Sequence, residues 1–198
     1  MKKLLIYLIL GLTMNTYSQN TKEMETATFG SGCFWCTEAI FDQLIGVIDV
    51  KSGYSGGIEK NPTYDMVCSG TTNYAEVVQI KYDSKKISFD ELLEVFWNTH
   101  NPTTLNRQGA DVGPQYRSVV FYHSEFQKER AEYYKTKLND SQIWKDPIVT
   151  EITAFTNFYP AEEYHEDYYK NNPNAAYCSF VITPKIEKFR KVFSDKLK

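Results

Sequence analysis

Thr26-Ala27-Thr28-Phe29-Gly30-Ser31-Gly32-Cys33-Phe34-Trp35-Cys36-Thr37-Glu38-Ala39-Ile40-Phe41-Asp42-Gln43-Leu44 decides how the chain begins to fold. Residues 26–29 are β-formers and predict a short strand. From Thr37 to Leu44 the apolar residues Ile40, Phe41 and Leu44 share one face, as in a helix. Gly32 between them permits a sharp turn. Cys33 is thereby expected in a strand-to-helix turn near the positive end of a helix dipole, where a thiol pKa falls and the nucleophilic thiolate is favoured. Cys36 follows at Cys-x-x-Cys spacing, and Phe34 and Trp35 lie between the two thiols. Each part also has a plain structural reading, because buried cysteine is often inert and Phe-Trp pairs are common in cores.

Outward from this stretch, Val47–Tyr54 predicts a second strand running into Ser55-Gly56-Gly57, a turn or close backbone approach. Asn61 or Thr63 caps a short helix reaching Cys68. Tyr74–Tyr82 alternates as a strand, with Glu76 near its start, where an unpaired carboxylate is expensive to bury. Ser88 and Glu91 form a capping box for a helix through Trp97. A long polar loop spans 101–115, and loops of that length are usually functional or disordered. Ser118–Tyr122 is a strand, Ser124 opens a charged helix to about Asn139, and Pro147–Ile152 is a further strand. A short helix over Glu162–Lys170 and a last one starting at Pro184 and running to the C-terminus complete the pattern. The order predicts α+β architecture: a ferredoxin-like split βαβ two-layer core with a mixed sheet, helices on one face and extra helices beyond it.

The N-terminus reads differently. Lys2-Lys3 precede the apolar run Leu4–Leu12, and Thr16 and Ser18 are small residues placed for cleavage after Ser18. Residues 1–18 are therefore expected to be a secretory signal, and 19–198 one catalytic domain. The apolar run is short for a membrane span. The mature chain is expected in the periplasm or outside the cell, anchored only if the signal is uncleaved. With 198 residues the chain is long enough for a substantial core, and 15 Tyr and 12 Phe make it rich in aromatics. A formal charge of −3, moving to −5 without Lys2 and Lys3, and the lack of a basic run argue against nucleic acid as a partner. Cys33, Cys36, Cys68 and Cys178 could form two structural disulfides in an oxidising compartment, but a domain of this size needs no staples. His100, His123 and His165 read as core or solvated histidines. Glu162-x-x-His165 has metal-site spacing with no second copy, so no metal is expected.

Taken together, Gly32–Cys36, Gly53–Gly57, Tyr64 with Val67–Gly70, Ala75-Glu76-Val77, Arg107–Ser118, Ala161–His165 and Val181–Lys185 resemble the peptide methionine sulfoxide reductase A family. The resemblance covers roughly residues 26–190, with the motifs in the family's order. It implies that Cys33 attacks the sulfoxide sulfur, and that Glu76, kept partly neutral by burial, donates the proton. It further implies that Tyr64 and Tyr116 hydrogen-bond the oxygen, Asp111 helps hold the substrate, and Phe34 and Trp35 receive the S-methyl group. Cys33 would become a sulfenic acid that a second thiol resolves as a disulfide. Cys36 is favoured for that step over Cys178, and Cys68 aligns with a structural cysteine. The implied substrate is methionine S-sulfoxide, free or in proteins. The implied reductant is thioredoxin or a similar dithiol, with no cofactor, and the enzyme is expected to be a monomer. Two departures stand out: Thr72-Asn73-Tyr74 where many members have Thr-Gly-His, and Cys36 where many have Gly. The rival readings are a general thiol–disulfide oxidoreductase using Cys33/Cys36 and a secreted binding domain with two structural disulfides.

Overall fold

The computed structural model describes residues 24–198. The expected signal over residues 1–18 and its cleavage point lie outside them. The chain runs β1 (Met24–Ser31), α1 (Phe34–Phe41), β2 (Val47–Ser55), α2 (Tyr64–Cys68), β3 (Ala75–Asp83), α3 (Phe89–Thr99), β4 (Arg107–Gln108), β5 (Asp111–Val112), β6 (Ser118–Tyr122), α4 (Glu125–Asp140), β7 (Glu151–Ala154), β8 (Tyr159–Pro160), α5 (Tyr168–Asn171) and α6 (Thr183–Val192). Six of the strands form one sheet in the order β7-β6-β1-β3-β2-β8. β1, β2, β3 and β6 are mutually antiparallel neighbours, and β7 joins β6 in parallel, so the sheet is mixed. The two units β1-α1-β2 and β3-α3-β6 interleave as the split βαβ pattern requires.

Alternation along the strands separates two faces. Ala27 and Phe29 of β1 with Val78, Ile80 and Tyr82 of β3 meet the helices in the main core. Phe29 stacks on Phe96 of α3 at 5.0 Å between ring centroids and tilts against Phe41 of α1 at 5.6 Å. The opposite face carries a smaller cluster, Ala75, Val77, Val119 and Phe121, covered by Phe155 and Phe158. The sheet is thus covered by helices on one side and by an irregular segment on the other.

Local signals act where they were read. The Ser88 hydroxyl accepts from Glu91 N–H and Glu91 closes the capping box. Thr63, not Asn61, caps α2. At Gly57 a Cβ would run into the ring of Tyr74, which explains the paired glycines. Three elements differ from expectation. The strand expected over 147–152 forms its ladder later, at Glu151–Ala154, because its register is set by β6. The helix expected over 162–170 splits into a 3-10 turn, Glu163–His165, and α5, because Asp167 takes a left-handed conformation with φ 51°. The last helix begins as expected around Pro184, at Thr183, but a π-helical turn, Cys178–Ile182, leads into it, and α6 stops at Val192 rather than running to the C-terminus.

His100, buried in the body of the fold, has both ring nitrogens paired. His100 Nδ1–H donates to the Phe96 carbonyl at 2.6 Å, and its Nε2 accepts from Ser118 Oγ at 2.7 Å, which fixes the tautomer. Ser118 in turn bonds Thr150 at 2.7 Å. Burial pushes His100 down to about 4, so it is neutral.

Candidate active site

Cys33 stands at the N-cap of α1, with its carbonyl accepting from the N–H of Cys36 at 3.2 Å and of Thr37 at 3.4 Å. Gly32 before it has φ +93°, and a Cβ there would strike the Gln108 side chain. That glutamine bonds the Asn101 backbone through both ends of its amide. It thus holds the 101–115 segment against the turn. The segment expected as an open loop contains the β4–β5 hairpin and a 3-10 turn, Pro114–Tyr116. This brings Asp111 and Tyr116 over Cys33.

The thiol differs from expectation. Burial raises the Cys33 pKa well above its ordinary value, with hydrogen bonding to Cys36 and the charge of Glu76 adding to it. The helix N-terminus does not overcome desolvation. Cys33 is 8% exposed and Cys36 3%. Within the pair the hydrogen bond from Cys33 lowers Cys36, against burial and with help from Lys185. All four cysteines are unpaired, so the structure carries no structural disulfide.

Glu76 enters from the start of β3 and is 1% exposed. Its Oε2 accepts from Phe34 N–H at 3.1 Å, while Oε1 has no partner among the described residues. Burial, reinforced by Asp111 and Cys36, pushes this carboxyl up to about 8 despite the Phe34 bond. At neutral pH it carries a proton that it can donate. Tyr64 and Tyr116 are raised, first by burial and then by neighbouring Cys68 and Glu76 respectively, so both phenols stay protonated donors.

Cys33, Phe34, Trp35, Tyr64, Glu76, Asp111, Tyr116 and Tyr177 line one cavity of about 190 Å³. That is the space of roughly six water molecules, enough for the end of one side chain. Seven of these eight were legible in the sequence. Tyr177 was not. Its hydroxyl donates to Asp111 Oδ2 at 2.6 Å, and its proximity lowers the thiols of both Cys33 and Cys36. The only sequence signal was its place beside Cys178, and among 15 tyrosines that does not single it out.

Trp35 is fixed from behind. Its indole N–H donates to Nδ1 of His165 at 3.0 Å, and its ring stacks on Tyr168 at 3.7 Å with 8° between planes. His165 is 1% exposed and held low by burial, so it is a neutral acceptor. Glu162 accepts from Tyr64 N–H at 2.8 Å and from the Tyr54 hydroxyl at 2.9 Å. The Glu-x-x-His spacing therefore organises an aromatic wall. Among the described residues no group of three or more His, Cys, Asp or Glu could hold a metal ion.

Of the two candidate resolving thiols, Cys36 lies in the same helical turn as Cys33. Cys178 is fully buried at the start of the π-helical turn, raised by burial and by the charge of Cys36. Cys68 sits half-buried beside the Tyr64 hydroxyl. A thiol, a neutral carboxyl and phenols around one apolar-walled cavity can deliver a nucleophile to one atom and a proton to its neighbour.

Comparison with known proteins agrees with this arrangement. The family model for peptide methionine sulfoxide reductase matches residues 25–197. The chain is 56% identical over 174 residues to peptide methionine sulfoxide reductase MsrA 1 of Rhodopirellula baltica, covering 88% of this chain and 90% of that one. It is 57% identical over 173 residues to MsrA of Haloquadratum walsbyi, covering 87% and 98%. Reduced Mxr1 from Saccharomyces cerevisiae superposes with a TM-score of 0.72 at 37% identity, covering 80% of this chain and 91% of that one. The cavity is built from the motifs that first suggested the relationship, and the chain belongs to the peptide methionine sulfoxide reductase family.

Proposed function

We propose that the protein reduces methionine S-sulfoxide, free or within peptides and proteins, to methionine. The observation that carries this reading is the neutral carboxyl of Glu76 in the same small cavity as the Cys33 sulfur. A sulfoxide needs both an attacking thiol and a proton for its oxygen.

The substrate's S-methyl group enters against Phe34 and Trp35, and its oxygen accepts from Tyr64, Tyr116 and the Glu76 O–H. Cys33 sulfur bonds the sulfoxide sulfur as Glu76 protonates the oxygen, and the Cys33 thiol proton passes to the carboxylate that Glu76 has become, so the acid is restored. Tyr177, whose hydroxyl donates to Asp111 in the resting site, stabilises the charge in transit by turning that proton to the sulfur. The sulfur–oxygen bond then breaks with transfer of the oxygen to Cys33. Methionine departs reduced by two electrons, and Cys33 is left as the sulfenic acid. Cys36 attacks that sulfur, a disulfide forms and water leaves. Cys36 is favoured over Cys178 because it shares a helical turn and a hydrogen bond with Cys33. An external dithiol returns the pair to two thiols. A relative, Mxr1 from Saccharomyces cerevisiae, has been crystallised in complex with Trx2, which supports a thioredoxin-like reductant. The chain carries this out as a monomer after export directed by residues 1–18.

The test is dithiothreitol-driven turnover of the two separated epimers of a methionine sulfoxide peptide. Turnover of the S epimer alone, abolished in Cys33→Ser, is the expected result. No turnover by folded wild type, with disulfide exchange on a protein substrate instead, would overturn it in favour of a general thiol–disulfide oxidoreductase. The burial of both sulfurs argues against that rival.

A further inference from the structure

Glu38 lies outside the catalytic cavity, yet it is a carboxylate 4% exposed on the helix that presents Cys33. It sits three residues after Trp35, so the two share a face of α1. Both meet the same segment. Trp35 stacks on the ring of Tyr168, and Glu38 meets the turn immediately before it: Glu38 and Asp167 line one cavity, the Asp167 N–H lies near the Glu38 carboxyl and lowers it, and Glu166 and Asp167 bring their charges near. Asp167 holds a left-handed conformation and gives α5 no side-chain cap. The contact with Glu38 is thus an anchor for the point from which Tyr168 projects.

We propose that Glu38 is a positioning residue of this active site: it holds the turn Glu166–Tyr168 against α1 and thereby keeps the Tyr168 ring on Trp35, the wall of the substrate cavity. Its consequence for catalysis rests on the reductase reading; the structural coupling does not.

The surroundings make this anchor sensitive to charge. Asp42 just after α1, Asp167 and Lys170 at α5, and Arg190 on α6 line, with Glu38, a second cavity of about 210 Å³. The basic groups are engaged elsewhere: Lys51 of β2 with Glu166 at 3.1 Å, Lys170 with Asp167 at 3.7 Å, and Arg190 with Gln43 at 2.6 Å. Burial and the charge of Glu166 push Glu38 up to about 7, the Asp167 N–H opposing. Above that pH the carboxylate ionises beside two others, and the turn loosens.

The experiment follows the indole N–H resonance of Trp35 in ¹⁵N-labelled full-length protein, without substrate, from pH 5.5 to 8.5. Trp97 and Trp144 serve as internal controls. The expected result is a transition of the Trp35 signal near pH 7 that is lost in Glu38→Gln and in Tyr168→Leu and retained in Glu76→Gln. A wild type without this transition overturns the proposal. So does a transition that persists in Glu38→Gln or Tyr168→Leu, or one that vanishes in Glu76→Gln. In turnover, Glu38→Ala raises KM about tenfold with kcat little changed, within the roughly hundredfold that misplacement by an ångström can cost. At pH 6 Glu38→Gln keeps the wild-type KM; a raised value there overturns the proposal. If the resonance behaves as expected but no variant reduces sulfoxide, the reductase reading fails and the positioning role stands.

Discussion

Two buried polar groups, some distance apart in function, show how this fold treats polarity. His100 sits in the body of the domain with both ring nitrogens bonded and its hydroxyl neighbours chained onward to Thr150. Glu76 is equally buried, but one oxygen has no partner among the described residues and faces a cavity. Burial moves both groups toward neutrality, His100 down to about 4 and Glu76 up to about 8. The difference lies in what remains to be done. His100 has no hydrogen-bonding capacity left over, whereas Glu76 keeps a donor for a molecule that is still to arrive.

The comparison can be broken at several points. The largest effect is expected for Glu76→Gln, which keeps shape and removes the acid. Reduction of the S-sulfoxide peptide should fall by about 10²–10⁴, the usual worth of a placed proton donor. A fall below tenfold would reduce Glu76 to a spectator like His100. Next, His100→Ala should destabilise the fold by ~1–3 kcal/mol in urea unfolding, because it strands Ser118, while kcat/KM per folded molecule stays at wild type. Loss of activity there would erase the distinction. Smaller again, Tyr177→Phe should lower kcat about tenfold, the loss of one donor for the charge that develops on the sulfur during attack. Its KM should change less.

A further effect is on the pH dependence of stability. The folded Glu76 keeps its proton to about 8, whereas an unfolded carboxyl loses it near 4.5. The folded state therefore binds more protons between those values, and stability falls as pH rises through them. Thermal denaturation at pH 5 and pH 8.5 should show this fall, diminished in Glu76→Gln. An unchanged slope would mean that Glu76 titrates as an ordinary carboxylate.

Local rules were legible in the sequence. The turn at Gly32, the Ser88–Glu91 box, the β-formers of β1 and the alternation in β3 each depend on a few adjacent residues, and each acts as read. What was not legible depends on partners distant in the chain. β7 forms where β6 offers a parallel edge, and β8 is two residues long only because Gly53 and Tyr54 are there to pair. The thiol of Cys33 was misjudged for the same reason. A helix N-terminus is visible in sequence, but the closure by Asp111, Tyr116 and Tyr177 that desolvates the sulfur is not. Glu162 and His165 were noted for their spacing, yet their task, holding Tyr64 and Trp35, emerges only from the packing.

The raised thiol of Cys33 also bears on survival in corrosive surroundings. Peroxides and alkylating agents react with thiolates far faster than with thiols. A sulfur held protonated by burial in a narrow cavity offers such reagents less thiolate than an exposed cysteine would.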